Sequence, residues 1–236
     1  MRRFWVIFLV IVGFVCAGRS TPAAAGVAAG DSLIEVATST RQWTGIAVSR
    51  SGRVFVNFPR WSANVPVSVG ELKKDGTVDP YPNRELNRWK TGDDPAQKFV
   101  CVQSVYVDAN NRLWILDPAN PLFGGVVEGG AKLIRVDLAS NTTVKTYHFD
   151  PETAPRKSYL NDVRVETKTG TAYMTDSGLG AIVVLDLETG DTRRLLDDDP
   201  STGAEKVQIT IDGKPIPVVV HSDGIALDDR GGWLYY

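Results

Sequence analysis

The sequence predicts an all-β fold of the β-propeller class, and three observations carry that reading. One segment recurs four times: "GIAVSRSGRVFVNF" (45–58), "SVYVDANNRLWILD" (104–117), "DVRVETKTGTAYMTD" (162–176) and "DGIALDDRGGWLYY" (223–236). Aligning Ile46, Val105, Val163 and Ile225 gives spacings of 59, 58 and 62 residues, the near-constant period of a repeat architecture. Second hairpins fill the intervals, at 67–82, 132–149 and 181–196, and no helix-length periodic segment interrupts the strands after the N-terminus.

The N-terminus differs from everything after it. Arg2 and Arg3 precede an apolar run from Phe4 to Ala17, followed by small residues around Ala23-Ala24-Ala25. That is the layout of a secretory signal peptide, assigned to residues 1–25. The run is shorter than the roughly 20 residues that span a bilayer, so no integral membrane segment is expected once the signal is removed. The predicted location is secreted or periplasmic. Residues 26–40 form a lead-in containing Gly30-Asp31-Ser32-Leu33, a tetrapeptide shared with secreted serine esterases. Activating Ser32 would take a base and a group to orient it. The two histidines, His148 and His221, have no aspartate three positions before them, and the motif follows small residues rather than a strand, so the esterase reading is set aside.

Each repeat has an alternating apolar strand, a polar turn with Gly or Asn, and a second strand rich in aromatic and β-branched residues, which are hairpin signals. Inner hairpin followed by outer hairpin gives four strands per repeat, a propeller blade. A β-sandwich also shows short strands and regular turns, but has no reason to repeat them at fixed spacing. The blades are placed at about 41–100, 101–158 and 159–220, with the start of a fourth at 221–236. About three and a half blades cannot close a ring of four to eight, so the partial propeller 41–236 reads as a fragment of a longer protein. After signal removal one cysteine remains, Cys101, in a stretch that reads as a buried strand, and it is expected to be a packed thiol. A net charge of −2 with no basic block argues against nucleic acid as a partner.

An ordered set of pieces resembles the major royal jelly protein/yellow family: "WTGIAVSRSGRVFVNFPRW", "VQSVYVDANNRLWILD", "KLIRVDLASNTTVKTYHF", "SYLNDVRVE", "AYMTDSGLGAIVVLDLETG" and "HSDGIALDDRGGWLYY". It runs from about Arg41 to the last residue, and bacterial members of the family are labelled dopachrome-tautomerase-related. The resemblance implies a six-bladed propeller, an exported protein and, as in some insect members, small aromatic amines bound at the central channel. More distantly, the chain is similar to the gluconolactonase/senescence-marker family, whose channel holds a divalent metal on a Glu, an Asn and an Asp. Here Thr44 stands where the Glu would lie and Asp223 where the Asn would lie, with the third ligand beyond Tyr236. Asn161 matches a substrate-contacting Asn of that family, while Tyr159 replaces an Arg.

Propeller geometry narrows the site. The second strand of a hairpin runs antiparallel to the first, so first-strand starts and second-strand ends share one rim. That rim collects Trp43, Thr44, Phe58, Arg60 and Trp61, then Gln103, Ser104, Asp117 and Asn120. The third and fourth repeats add Asn161, Asp162, Asp176, Ser177, His221, Ser222 and Asp223. The ligand-binding candidates are Thr44, Gln103, Asn161, Asp162, Asp176, His221 and Asp223, a polar set suited to a small polar or aromatic molecule. His221 is the acid–base group among them that titrates near neutrality. No residue is assigned a catalytic role. The bland readings are that Asp117, Asp162, Asp176 and Asp223 cap turns, and that Arg60 and Trp61 pack between blades. The leading function is an exported propeller binding a small molecule without a cofactor. The alternatives are a metal-dependent lactonase or isomerase and a protein-binding scaffold.

Overall fold

The computed structural model describes residues 33–228, 230 and 232–236; the signal-peptide assignment and Ser32 lie outside them. The chain divides into Met1–Val36 and Ala37–Tyr236, and all the regular structure described falls in the second unit. Its strands are β1 (Ile46–Val48), β2 (Val54–Asn57), β3 (Val69–Leu72) and β4 (Val78–Pro80) in the first repeat. The second repeat holds β5 (Ser104–Val107), β6 (Arg112–Asp117), β7 (Lys132–Asp137) and β8 (Thr142–His148). The third holds β9 (Leu160–Glu166), β10 (Thr171–Asp176), β11 (Ala181–Asp186) and β12 (Thr192–Leu195). Each set of four is one antiparallel sheet with its strands in sequence order. A ribbon of β13 (Thr210–Ile211) and β14 (Lys214–Pro215) precedes a last hairpin, β15 (Ala226–Asp228) and β16 (Trp233–Tyr235). These are three propeller blades and the inner hairpin of a fourth, about three and a half of the six blades that the resemblance implies.

The inner hairpins form where the repeats place them, and for one local reason. Each turn needs a residue of positive φ to reverse the chain. Gly52 (φ 80°) supplies it in the first repeat and Asn111 (φ 59°) in the second, each donating its N–H back to the first turn residue, Ser49 or Asp108. The β6 sequence "RLWILD" then explains how blades stack. Leu113 and Ile115 join a core shared with Phe55 and Val69 of the first blade, whereas Trp114 and Leu116 join one shared with Val163 and Met174 of the third. A strand covered on both faces reads as a continuous apolar run, and this one does.

One expectation needs correction, and two features lie outside what the repeat pattern anticipates. Cys101 is fully buried, but in a bend before β5 and not in a strand. Burial pushes its thiol up to about 12, the nearby Asp117 adding to the rise, so it is an inert core group. Ile46, aligned with core valines in the other repeats, is 68% exposed because no described blade covers its face. The ribbon between the third and fourth repeats was not anticipated, and its neighbours Val207, Ile209, Val218, Val219 and Val220 are exposed.

One device fixes where the inner strands begin. Asp117, at the end of β6, is fully buried and accepts from the backbone N–H groups of Val100 (2.7 Å), Cys101 (2.9 Å) and Ala119 (2.9 Å). Lys132, equally buried, approaches its carboxylate at 3.2 Å while donating to the carbonyls of Pro95 and Gly130. Asp176, at the end of β10, repeats the arrangement, accepting from Tyr159 N–H (2.8 Å) and Gly178 N–H (3.0 Å) with Arg194 at 2.9 Å. Gly178 is required there, since a Cβ would collide with the Lys157 carbonyl. A second tie joins the first two blades. Arg53 grips both oxygens of Glu71, at 2.8 and 3.0 Å, and reaches across to the Leu138 carbonyl and Asn141 Oδ1.

Two outcomes test these ties. Lys132→Met leaves the Asp117 carboxylate buried without its cation and should cost about 3–5 kcal/mol in urea unfolding at neutral pH. Asp117→Asn/Lys132→Met should recover part of that loss, and a single-variant cost under about 1 kcal/mol would show the pair to be dispensable. Glu71 is held down to about 2, chiefly by the Arg53 hydrogen bonds, with Lys73 assisting. Because the folded value lies below the ordinary 4.5, its stabilisation is complete above that value and is lost as pH falls through about 2. Glu71→Gln should therefore flatten the acid limb of the stability curve between those limits, and an unchanged limb would refute the role.

Candidate functional site

The inner-strand starts converge on one open cleft of about 990 Å³. Thr44, Gln103, Asn161 and Asp223 each stand two residues before the aligned apolar position of their repeat, and all four line it. Equivalent backbone positions in successive blades thus deliver a hydroxyl, two amides and a carboxylate to the same space. Side-chain hydrogen bonds tie the first three in sequence. Thr44 Oγ1 donates to the Gln103 carbonyl (2.8 Å), and Gln103 Nε2 donates to Asn161 Oδ1 (3.1 Å). Asn161 Nδ2 donates to Ser177 Oγ (3.0 Å), and Asp223 stands in the same cleft.

Asp162, the next residue on β9, lines the cleft as well. Its Oδ1 accepts from Ser104 Oγ (2.7 Å), Val163 N–H (2.8 Å) and Arg164 Nη1 (2.9 Å). Asp223 has its carboxyl raised above the ordinary range by partial desolvation first and by the Asp162 charge second, with the Asn161 hydrogen bond opposing. The cleft therefore holds two carboxylates, one paired with its arginine and one whose charged form is disfavoured by partial burial.

An aromatic wall faces them. Trp61 Nε1 donates to Tyr159 OH at 2.6 Å, and that hydroxyl donates to Gln103 Oε1 at 2.9 Å. Phe123 stacks on both rings, 5.7 Å from Trp61 and 5.3 Å from Tyr159, each at 28°. Val218, Val219 and Val220 add an apolar border, and Arg156 and Lys157 add cations.

Of the seven sequence candidates, the structure brings together Thr44, Gln103, Asn161, Asp162 and Asp223. Asp176 does not line the cleft, because its carboxylate is fully buried in the strand-end anchor with Arg194. His221 does not line it either, and its Nδ1 accepts from Ala204 N–H at 3.1 Å. Arg60 packs between elements as its bland reading held, donating to the Val100 carbonyl and covering the Trp89 ring. Sequence reasoning missed Arg164 and Phe123. Arg164 had a signal, since Asp162 and Arg164 are two apart on a strand and so share a face. Phe123 had none, because it sits in a loop without periodicity.

The divalent metal implied by the gluconolactonase likeness does not fit the donors present. Among the described residues no three His, Cys, Asp or Glu side chains come close enough to hold an ion. Thr44 offers a neutral hydroxyl where an acidic ligand would be needed, and Asp162 already carries three donors on one oxygen.

The raised Asp223 carboxyl carries a stability consequence. A group whose folded pKa lies above its unfolded one stabilises fully below the ordinary value, near 3.8, and less as pH rises through the folded value. Asp223→Asn should therefore melt higher than the parent at pH 7, with the difference vanishing below about pH 3.8. A lower melting temperature at pH 7 would show the carboxylate to be held favourably.

Comparison with known proteins identifies the family. The family model described as Major royal jelly protein matches residues 100–236. Dopaminechrome tautomerase of Drosophila melanogaster is 26% identical over 129 residues, 49% of this chain and 26% of that protein. Protein yellow of Drosophila pseudoobscura pseudoobscura is 25% identical over 122 residues, 48% of this chain and 21% of that protein. The matched stretch thus spans about a quarter of the length of these curated relatives. Among solved structures, a gluconolactonase from Xanthomonas campestris gives a TM-score of 0.48 at 15% identity, covering 81% of this chain and 54% of that one. With the family match extending over more than half of its residues, this chain belongs to the major royal jelly protein family.

Proposed function

We propose that this chain is part of an exported, tautomerase-related propeller that binds a small polar or aromatic molecule in the cleft at its inner-strand starts. One observation carries the reading: four repeat-equivalent side chains, Thr44, Gln103, Asn161 and Asp223, converge with an aromatic wall on a single space. A few placed polar groups beside aromatic surface are what orient a small ligand. Asp223, the cleft carboxylate without an arginine partner among the described residues, would pair with a ligand amine when ionised, and the aromatic wall favours a ring. The name of the dopaminechrome tautomerase relative agrees with such a ligand.

A tautomerisation is a proton shift, and it requires a group that takes and returns one proton. Asp223 is the residue suited to that task, since it lines the cleft and partial burial raises its carboxyl from the ordinary carboxylate value, easing return of the proton. Asn161 would orient it, and the Asp162–Arg164 pair would hold the neighbouring charge fixed. Export is proposed from the N-terminal sequence and from family membership; among the described residues no helix is long and apolar enough to cross a membrane.

Isothermal titration of the purified chain with an arylalkylamine such as dopamine tests the reading, with calcium and zinc titrated separately. Amine binding without added metal is the expected result. Asn161→Ala should weaken it by about 1–3 kcal/mol, the cost of a lost buried hydrogen bond, and lower stability by about 1 kcal/mol through Gln103 and Ser177. Unchanged affinity in that variant would remove Asn161 from the site, and absence of amine binding by the parent would overturn the function.

A further inference from the structure

The loop between β6 and β7 presents Phe123 in a way that core packing does not explain. Leu122 and Phe123 are consecutive bulky residues at φ 56° and 55°, in the left-handed region that favours glycine. The surroundings impose this conformation. Leu122 N–H donates to the Arg60 carbonyl of the first repeat (2.8 Å), and Asn120 Nδ2 donates to the Ser158 carbonyl before β9 (2.9 Å). Asn120 Oδ1 in turn accepts from Gly125 N–H (2.8 Å). Bonds from the first and second repeats thus hold a strained pair in place, yet the strain buries nothing large: Phe123 stays 61% exposed and Leu122 56%.

Backbone strain that the surrounding structure over-determines marks places where a residue is held for another purpose. Here the purpose is visible in the placement. The Phe123 ring stacks on Trp61 and Tyr159 and, with them, lines the cleft that holds Asp162 and Asp223. We propose that Phe123 is the stacking platform of the cleft and its specificity-determining residue, selecting planar aromatic ligands over saturated ones of the same charge and size. The inference rests on the cleft being the binding site.

The test pairs 2-phenylethylamine with 2-cyclohexylethylamine, which share an ammonium group and differ in planarity. Titrations and thermal melts are run on the parent, Phe123→Gly and Phe123→Trp. The parent should prefer the aromatic amine by about three- to tenfold, the range of an aromatic stacking contact. Phe123→Gly should lose that preference, the aromatic amine losing more affinity than the cyclohexyl compound, and Phe123→Trp should retain the preference. Phe123→Gly should still fold, with relief of the left-handed strain partly offsetting the lost contacts to Trp61 and Tyr159. Preference unchanged in Phe123→Gly, or a lower melting temperature with both affinities reduced alike, would make Phe123 a packing residue and overturn the platform while leaving the cleft as the site. A parent that binds neither amine would overturn the cleft reading and the platform with it.

Discussion

The buried aspartate at the end of a second strand is the constraint on which the site geometry depends. Asp117 and Asp176 each gather backbone N–H groups from the chain that leads into the first strand of the same blade. A carboxylate with no exposed surface is tolerable only when paired and fully hydrogen-bonded, so Lys132 and Arg194 belong to the same unit. Together they pin the entry to β5 and β9 against the exit from β6 and β10. Gln103 and Asn161 follow within three residues of those pinned positions, and their places in the cleft are consequences of the anchor.

The first blade solves the same problem differently. Phe58 stands where the aspartate would be, and Asn57 donates to Thr44 Oγ1 and to the Val102 carbonyl. Thr44 is thereby tied forward to the second blade, and the Arg53–Glu71 pair ties the outer edges of the same two blades. Inter-blade order in this half of the molecule comes from polar ties at both ends of a shared apolar core.

Much of this was legible in the sequence, because a repeat states the same physical requirement several times. Alternating apolar residues, a turn residue able to take positive φ and an aromatic return strand identified the hairpins. The antiparallel rule then put first-strand starts on one rim, which is why Thr44, Gln103, Asn161, Asp162 and Asp223 could be named. The same rule misled for Asp176: a strand-end carboxylate is on the correct rim but turns inward when a cation from a later strand, Arg194, waits there. No local signal links residues 18 apart across a sheet. Phe123 and the valines at 218–220 were illegible for a related reason, since they reach the cleft from insertions between strands whose paths the repeat period does not encode. Cys101 was placed correctly in the core but wrongly in a strand, because burial and strand formation look alike in a short apolar run.

The register of the four cleft positions separates chemistry from architecture. Threonine, glutamine, asparagine and aspartate occupy one repeat-equivalent place, while the anchors and apolar cores that shape the blades use other residues. Exchanging the group at any of these places changes the polar surface of the cleft and its side-chain ties, while the apolar cores and strand-end anchors beneath stay as they are. A lineage built on this plan can vary the chemistry of its cleft one blade at a time, through single substitutions that leave the strand pattern intact.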